Sequence, residues 1–247
     1  MERDVLVIGD IHNAWYRAED ICIKHPDAFK IFVGDYFDSI GDNEGIAADT
    51  AQWLKNSLKS SDRLHLLGNH DFQYLSQGKH ICSGFSAEKN NAINSVLNLE
   101  DWQLIKLYTN IDKWLISHAG FTYKWFEHPV MGFNIDSINN TINRALESIH
   151  TQTSDILPLW AADHWRGGRY NKGGLLWNDW RNSDFISGYN QIFGHTHVDK
   201  VKYIIGRRKK VKSININIDC GLTEYLLLTT DNKILVKGKN ERERPNI

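Results

Sequence analysis

Five short apolar runs in this chain each end on residues able to bind a metal: VLVIGDIH, IFVGDYFD, LHLLGNHD, WLISHAG and QIFGHTH. Short apolar runs bounded by turn signals are the mark of buried strands, and residues 4–8, 29–33, 63–67 and 113–117 are read as such. Helix-like stretches at 14–24 and 46–58 lie between them, the second placing Ile46, Thr50, Trp53, Leu54 and Leu58 on roughly one face. Strand alternating with helix predicts an α/β chain with a parallel or mixed sheet and functional loops at the carboxyl ends of its strands. Asp10, Asp35, Asn69 and His118 fall there.

The last third is β-rich, with strands expected at 190–193, 201–205, 211–218, 225–229 and 234–237. Its alternation, as in Ser-Ile-Asn-Ile-Asn-Ile-Asp, suggests an antiparallel or mixed sheet with one polar face. The middle differs: residues 138–149 read as a helix and HWRGGRYNKGG as a glycine-rich loop. The stretch at about 121–174 is taken as an insertion over the edge of the site, so residues 1–247 are expected to form a single domain. The last residues, ERERPNI, are expected to fray.

A chain of 247 residues with 41% hydrophobic content can bury a core without covalent staples. A formal net charge of −1 gives no bulk attraction to nucleic acid or an anionic membrane. Cys22, Cys82 and Cys220 are an odd number without CxxC spacing, which suits reduced thiols in a cytoplasmic protein. The N-terminus enters a strand-like run at once, without a signal-peptide core, and no apolar stretch is long enough to span a membrane. The tryptophans, several of them between 160 and 180, are expected mainly in the core.

Asp10 and His12, two residues apart just past a strand, would project to the same side in extended geometry and share one cation. Asp35 can bridge two ions, Asn69 offers a neutral amide oxygen, and His118 with the His195/His197 pair completes the supply. The two imidazoles of GHTH are expected on one strand face. Mixed nitrogen and oxygen donors without thiolate favour Mn²⁺, Fe or Zn²⁺. Two divalent ions about 3.5–4 Å apart clamp a phosphate and lower the pKa of a bridging water, giving a hydroxide nucleophile. His70, oriented by Asp38, is the candidate to protonate the leaving alkoxide. An arginine fork best offsets the phosphoryl charge.

Each piece alone has a bland explanation. A Gly-Asp after a strand is a common turn, and a histidine at a strand end is commonly a hydrogen-bonded surface residue. Five in order outweigh coincidence. His25, His65, His80, His128, His150 and His164 lack such context and are assigned to structure, and the basic run 207–210 to a solvated hairpin tip.

The series GDIH, GDYFD, GNHD, SHAG and GHTH resembles the calcineurin-like metallophosphoesterase superfamily. SHAG is similar to the HGG/HAG element of the phosphoprotein phosphatase family. LLWNDWR, QIFGHTH and INIDCG resemble elements of bacterial and bacteriophage serine/threonine phosphatases and of diadenosine tetraphosphate hydrolases. Most of the chain is covered; residues 121–174 are not. The resemblance implies a central β-sandwich of mixed sheets flanked by helices, with two divalent ions, Mn²⁺ first, at one edge. By it Asp10, His12 and Asp35 hold one ion, and Asp35 as bridge, Asn69, His118 and His195 hold the other. His70 is the general acid paired with Asp38, while Arg181 and Asn69 contact phosphate.

Three departures stand out. Ser39 and Ile40 follow Asp38 where the family has Arg-Gly, which removes a phosphate arginine; Arg166 or Arg169 is the candidate to replace it. Asn13 stands where the family has glycine. His197 gives the GHxH of the broader superfamily and is a candidate extra ligand of the first ion. The leading expectation is a phosphomonoesterase of the serine/threonine phosphatase type, acting on a phosphorylated protein or a small phosphoester. The alternatives are a dinucleoside polyphosphate hydrolase or phosphodiesterase, including a nuclease, and an inactive scaffold.

Overall fold

The strand β1 (Val5–Ile8) is buried at every position, Leu6 and Ile8 facing one side and Val5 and Val7 the other. Alternation along a strand covered on both faces gives this unbroken apolar run. The structure is a computed structural model and describes residues 1–123, 140, 157–186, 188–208 and 211–243. On one side β1 pairs in parallel with β2 (Phe29–Phe32), and β2 in parallel with β3 (Arg63–His65). On its other side β9 (Glu224–Leu228) is antiparallel, followed by β10 (Ile234–Gly238) and β11 (Arg242–Glu243). The six strands make one mixed sheet.

The second sheet has five strands. Its centre is parallel: β5 (Trp114–Ser117), β6 (Asn190–Phe193) and β8 (Val211–Asn217). Antiparallel strands β4 (Tyr108–Ile111) and β7 (Lys202–Arg208) close its two edges. Val5, Val7, Ile31, Leu226 and Val236 of the first sheet pack against Trp114, Ile116, Ile192 and Ile216 of the second, forming the middle of a sandwich. Each such side chain, fully buried, contributes roughly 1.5–3 kcal/mol.

Helices cover the other face of the six-stranded sheet. They are α1 (Trp15–Ile23), α2 (Glu44–Ser57), α3 (Asn69–Leu75), α4 (Ala87–Val96) and α5 (Leu99–Leu104). α2 begins two residues before the expected start because the Asn43 side chain accepts from Ile46 N at 3.0 Å. Its buried face is Ala47, Thr50, Ala51 and Leu54, whereas Ile46, expected on that face, is exposed. The sequence left α3, α4, α5, β4 and β11 unassigned; β11 lies in the tail expected to fray, where Arg242 and Glu243 instead pair with β10 and Arg242 is held by Glu224. The other expected elements among the described residues are present, with ends shifted by up to three residues.

A third cluster of Leu115, Phe121, Tyr123, Leu159, Leu175 and Ile186 covers the outer side of the second sheet. Trp102 and Trp114 are core residues, but Trp165 is exposed. Apart from residue 140, the helix expected at 138–149 lies outside the described residues, as do His128, His150 and the ends of the basic and C-terminal runs, 209–210 and 244–247. Among the described residues no helix is long and apolar enough to cross a membrane.

Candidate metal centre

Parallel strands send their carboxyl ends to the same edge, and five of them bring the donors together. Asp10 follows β1, Asp35 follows β2, Asn69 follows β3, His118 follows β5 and His195 follows β6. Ligand atoms of Asp10, His12 and Asp35 lie within 4.8 Å of one another, and so do those of Asp35, His118 and His195. Asp35 belongs to both groups. Its Oδ2 is 3.8 Å from His12 Nε2 and 3.4 Å from His118 Nε2, and its Oδ1 accepts from His70 N at 2.9 Å.

The loops that carry these groups are conformationally costly. His12, Asn13, Asp35, Asp38 and His195 all have positive φ, between 41° and 68°, a region that non-glycine residues occupy rarely. The turn at His12, rather than an extended strand, brings His12 beside Asp10. The same holds for GHTH: His195 is left-handed and enters the donor set, whereas His197 lies apart, its side chain 68% exposed and its Nδ1 3.7 Å from Asp219 Oδ1. A shared strand face is therefore not what the chain builds there. Close approach also fixes two glycines, since a Cβ at Gly68 would lie on the Asp35 carboxylate and one at Gly194 on that of Asp10.

Hydrogen bonds orient the imidazoles. His118 Nδ1 donates to Val33 O at 3.0 Å, which leaves Nε2 as a lone pair facing Asn69 Oδ1 at 3.0 Å and His195 Nδ1 at 3.2 Å. Asn69 Oδ1 and His195 Nδ1 are 2.8 Å apart. His195 Nε2 is buried without a partner. Three acceptor atoms thus converge with at most one hydrogen among them, an arrangement suited to a cation. On the other side, His12 Nδ1 lies 2.9 Å from both Phe37 O and Asp38 O, which turns Nε2 toward Asp35.

The electrostatics suit a cation among these donors. Burial pushes the Asp10 carboxyl up, and Asp219 and Asp35 push it further. Burial also depresses the proton affinity of His118 and of His195, keeping both as neutral imidazoles. Burial would lower His70 too, but the Asp35 charge and the hydrogen bond that the ring donates to Asp38 outweigh it and raise its proton affinity. His70 Nδ1 meets Asp38 Oδ2 at 2.9 Å.

The arginine expected at phosphate is turned elsewhere. Arg181 donates twice to Asp179, from Nε at 2.9 Å and Nη2 at 2.6 Å, and its guanidinium lies 5.1 Å from the Trp165 ring centre. Arg166 reaches the donor set instead, donating to His195 O at 3.2 Å while pairing with Asp179. Arg17 is exposed beside Asp10 and His12, in a cleft of about 350 Å³ that His197 and Asp219 also line.

Two further carboxylates had no expected role. Asp71 accepts from Asp35 N, Tyr36 N and Gly68 N, each at 2.8 Å, and so ties two donor loops together. Asp219 follows β8, by the same rule of a carboxylate after an apolar strand, and the INID pattern carried that signal.

Residues 4–199 match the calcineurin-like phosphoesterase family. The chain belongs to that family. Its members are phosphoester hydrolases that use divalent metal ions. The chain is similar in structure to a serine/threonine protein phosphatase from Saccharomyces cerevisiae with similarity to human phosphatase PP5. That likeness has a TM-score of 0.51 and 13% identity, over 99% of this chain and 82% of the other. A metallophosphoesterase from Sphaerobacter thermophilus matches with a TM-score of 0.48 and 13% identity over 97% of this chain and 89% of the other. A structure provisionally named as a diadenosine tetraphosphatase matches with a TM-score of 0.47 and 16% identity over 96% and 95%. At such identities the likeness speaks for the fold alone. No curated protein matches the chain.

Proposed function

We propose that this family member is a two-cation phosphomonoesterase of the serine/threonine phosphatase type. The observation that carries the reading is the sharing of Asp35 between two donor groups, with the His70–Asp38 pair beside it. Asp10, His12 and Asp35 hold one cation, with His197 as a further candidate from the Asp219 side. Asp35, Asn69, His118 and His195 hold the other. Oxygen and neutral imidazole donors without thiolate make Mn²⁺ the first choice. Bound there, the ions supply positive charge against the phosphoryl oxygens and make water acidic near neutral pH.

The chain's own groups do the rest. Asn69 holds an amide oxygen among the imidazoles, and Arg166 and Arg17 put guanidinium charge at two sides of the site. Arg181 holds Asp179 with both Nε and Nη2, whereas Arg166 pairs with it through Nε and turns Nη2 to His195 O, so Arg166 is the better support for the place left by Ser39. His70 gives a proton to the leaving alkoxide oxygen while Asp38 holds the ring. Turnover of p-nitrophenyl phosphate and a phosphoserine peptide is compared with that of bis-p-nitrophenyl phosphate and a dinucleoside tetraphosphate, all with Mn²⁺. Faster turnover of the monoesters is expected; a strong preference for the diester or dinucleotide overturns the assignment.

A further inference from the structure

Asn13 and Ser39, two positions where this chain departs from its family's pattern, touch each other. Asn13 Nδ2 donates to Ser39 Oγ at 3.0 Å and to Asp42 Oδ2 at 2.9 Å, while Asn13 Oδ1 accepts from the buried Thr50 hydroxyl at 2.9 Å. Asp42 Oδ1 in turn accepts from Lys89 Nζ at 2.9 Å, and the same ammonium donates to Asp38 Oδ1 at 2.6 Å. Lys89 projects from the first turn of α4 and is only 5% exposed. Lysine is almost never so buried unless paired.

Asp38 is the carboxylate that meets His70, and both its oxygens are fully engaged. Oδ1 takes Lys89 Nζ and Tyr74 OH, the latter at 2.6 Å; Oδ2 takes His70 Nδ1 and Gln73 Nε2. The positive charge at this loop is carried on α4, by Lys89, and turned inward. Ser39 offers phosphate no charge, and its hydroxyl serves the network that holds Asp42 against Lys89.

We propose that Lys89 is a positioning residue for the reaction: its ammonium, held by Asp42, fixes Asp38 so that Asp38 can aim the His70 ring. The Asn13–Ser39–Asp42 tether is the accompanying change that accommodates this inward cation. The inference rests on the reading of His70 as proton donor, and its test is built to fail separately from that reading.

Turnover of a phosphoserine peptide, whose alkoxide leaving group needs a proton, is measured with Mn²⁺ for Lys89→Met, His70→Ala and the double variant, with metal content and thermal unfolding followed in each. Lys89→Met is expected to lower kcat by ~10–100-fold, the usual loss for an outer orienting partner, with KM and metal content little changed. Lys89→Arg should restore most of the rate. In the His70→Ala background Lys89→Met should cost nothing further, because the two act as one unit. A purely structural lysine would lower both backgrounds alike, and that outcome, or a rise in KM with kcat unchanged, overturns the proposal. If His70→Ala itself leaves kcat intact, the proton-donor reading fails first. Removing one partner of a buried ion pair is strongly destabilising, so Asp42→Asn provides a second arm should Lys89→Met not fold. It is expected to lower kcat in the same His70-dependent way but by less, and independence from His70 overturns the proposal equally.

Discussion

The two donor groups differ in their access to water. On one side His12 is 37% exposed and looks into the cleft with His197, at 68%. On the other His118 has no exposed surface, and His195 is buried against the Trp177 ring. Charges interact more strongly where water is excluded, and a buried imidazole kept neutral needs no proton removed before it binds. On the proposed reading the buried group would retain its cation tightly, while the open one would exchange its cation and admit substrate.

Asp35→Ala breaks the comparison most severely, since it removes the one carboxylate that both groups share. Metal content should fall at both sites and activity to background, as measured by elemental analysis beside turnover; full occupancy would refute the bridge. His70→Ala should cost ~10²–10⁴-fold in kcat with metal content intact, because the ring contacts Asp38 rather than belonging to either group.

Asp219→Asn sharpens the contrast, since Asp219 lies on the open side, beside His197 and behind Asp10. A Mn²⁺ titration followed by calorimetry should show one binding event weakened ~10–100-fold and the other unmoved. Equal weakening of both events would mean that the two groups are not distinct.

The smallest effect lies beneath both groups. His65, stacked on Phe32 and hydrogen-bonded to Ser57 and Tyr36, is held neutral, burial bringing its pKa down to about 3. The unfolded chain takes up that proton near pH 6.5. Its contribution to stability is therefore complete above pH 6.5 and is lost as pH falls toward 3, with a slope of at most ~1.4 kcal/mol per pH unit. Urea unfolding of metal-free protein at pH 7 and pH 5 should show the loss, and His65→Phe should flatten it. An unchanged slope in that variant would place the acid sensitivity elsewhere, the buried neutral imidazoles of His118 and His195 being the first alternative.

Much of this was legible in the sequence. β1, β2 and β3 announce themselves because burial on both faces forces apolar runs, and Gly-Asp or Gly-Asn after each marks the functional edge. Asp10, His12, Asp35, His118 and His195 follow from that rule. α4 does not: AEKNNAINSV buries only Lys89 and Ile93 and leaves the rest exposed or half-buried, so no apolar stripe betrays it. Lys89 acquires meaning only through carboxylates some fifty positions away. Ile46 misled because Ala47 and Ala51, small enough for close helix–sheet packing, take the inner face. Arg181 matched a motif, but motif spacing does not reveal that Asp179 claims its guanidinium.

The donors also come from different sheets. Asp10, Asp35 and Asn69 follow strands of the six-stranded sheet, His118 and His195 strands of the five-stranded one. Cations seated among them would act as rivets across the seam of the sandwich, joining layers otherwise held together by aliphatic packing. A hundredfold excess over Kd would add roughly 2.7 kcal/mol per site to the folded state. Melting curves against Mn²⁺ concentration should climb accordingly, making the supply of metal a setting for the temperature at which the two layers part.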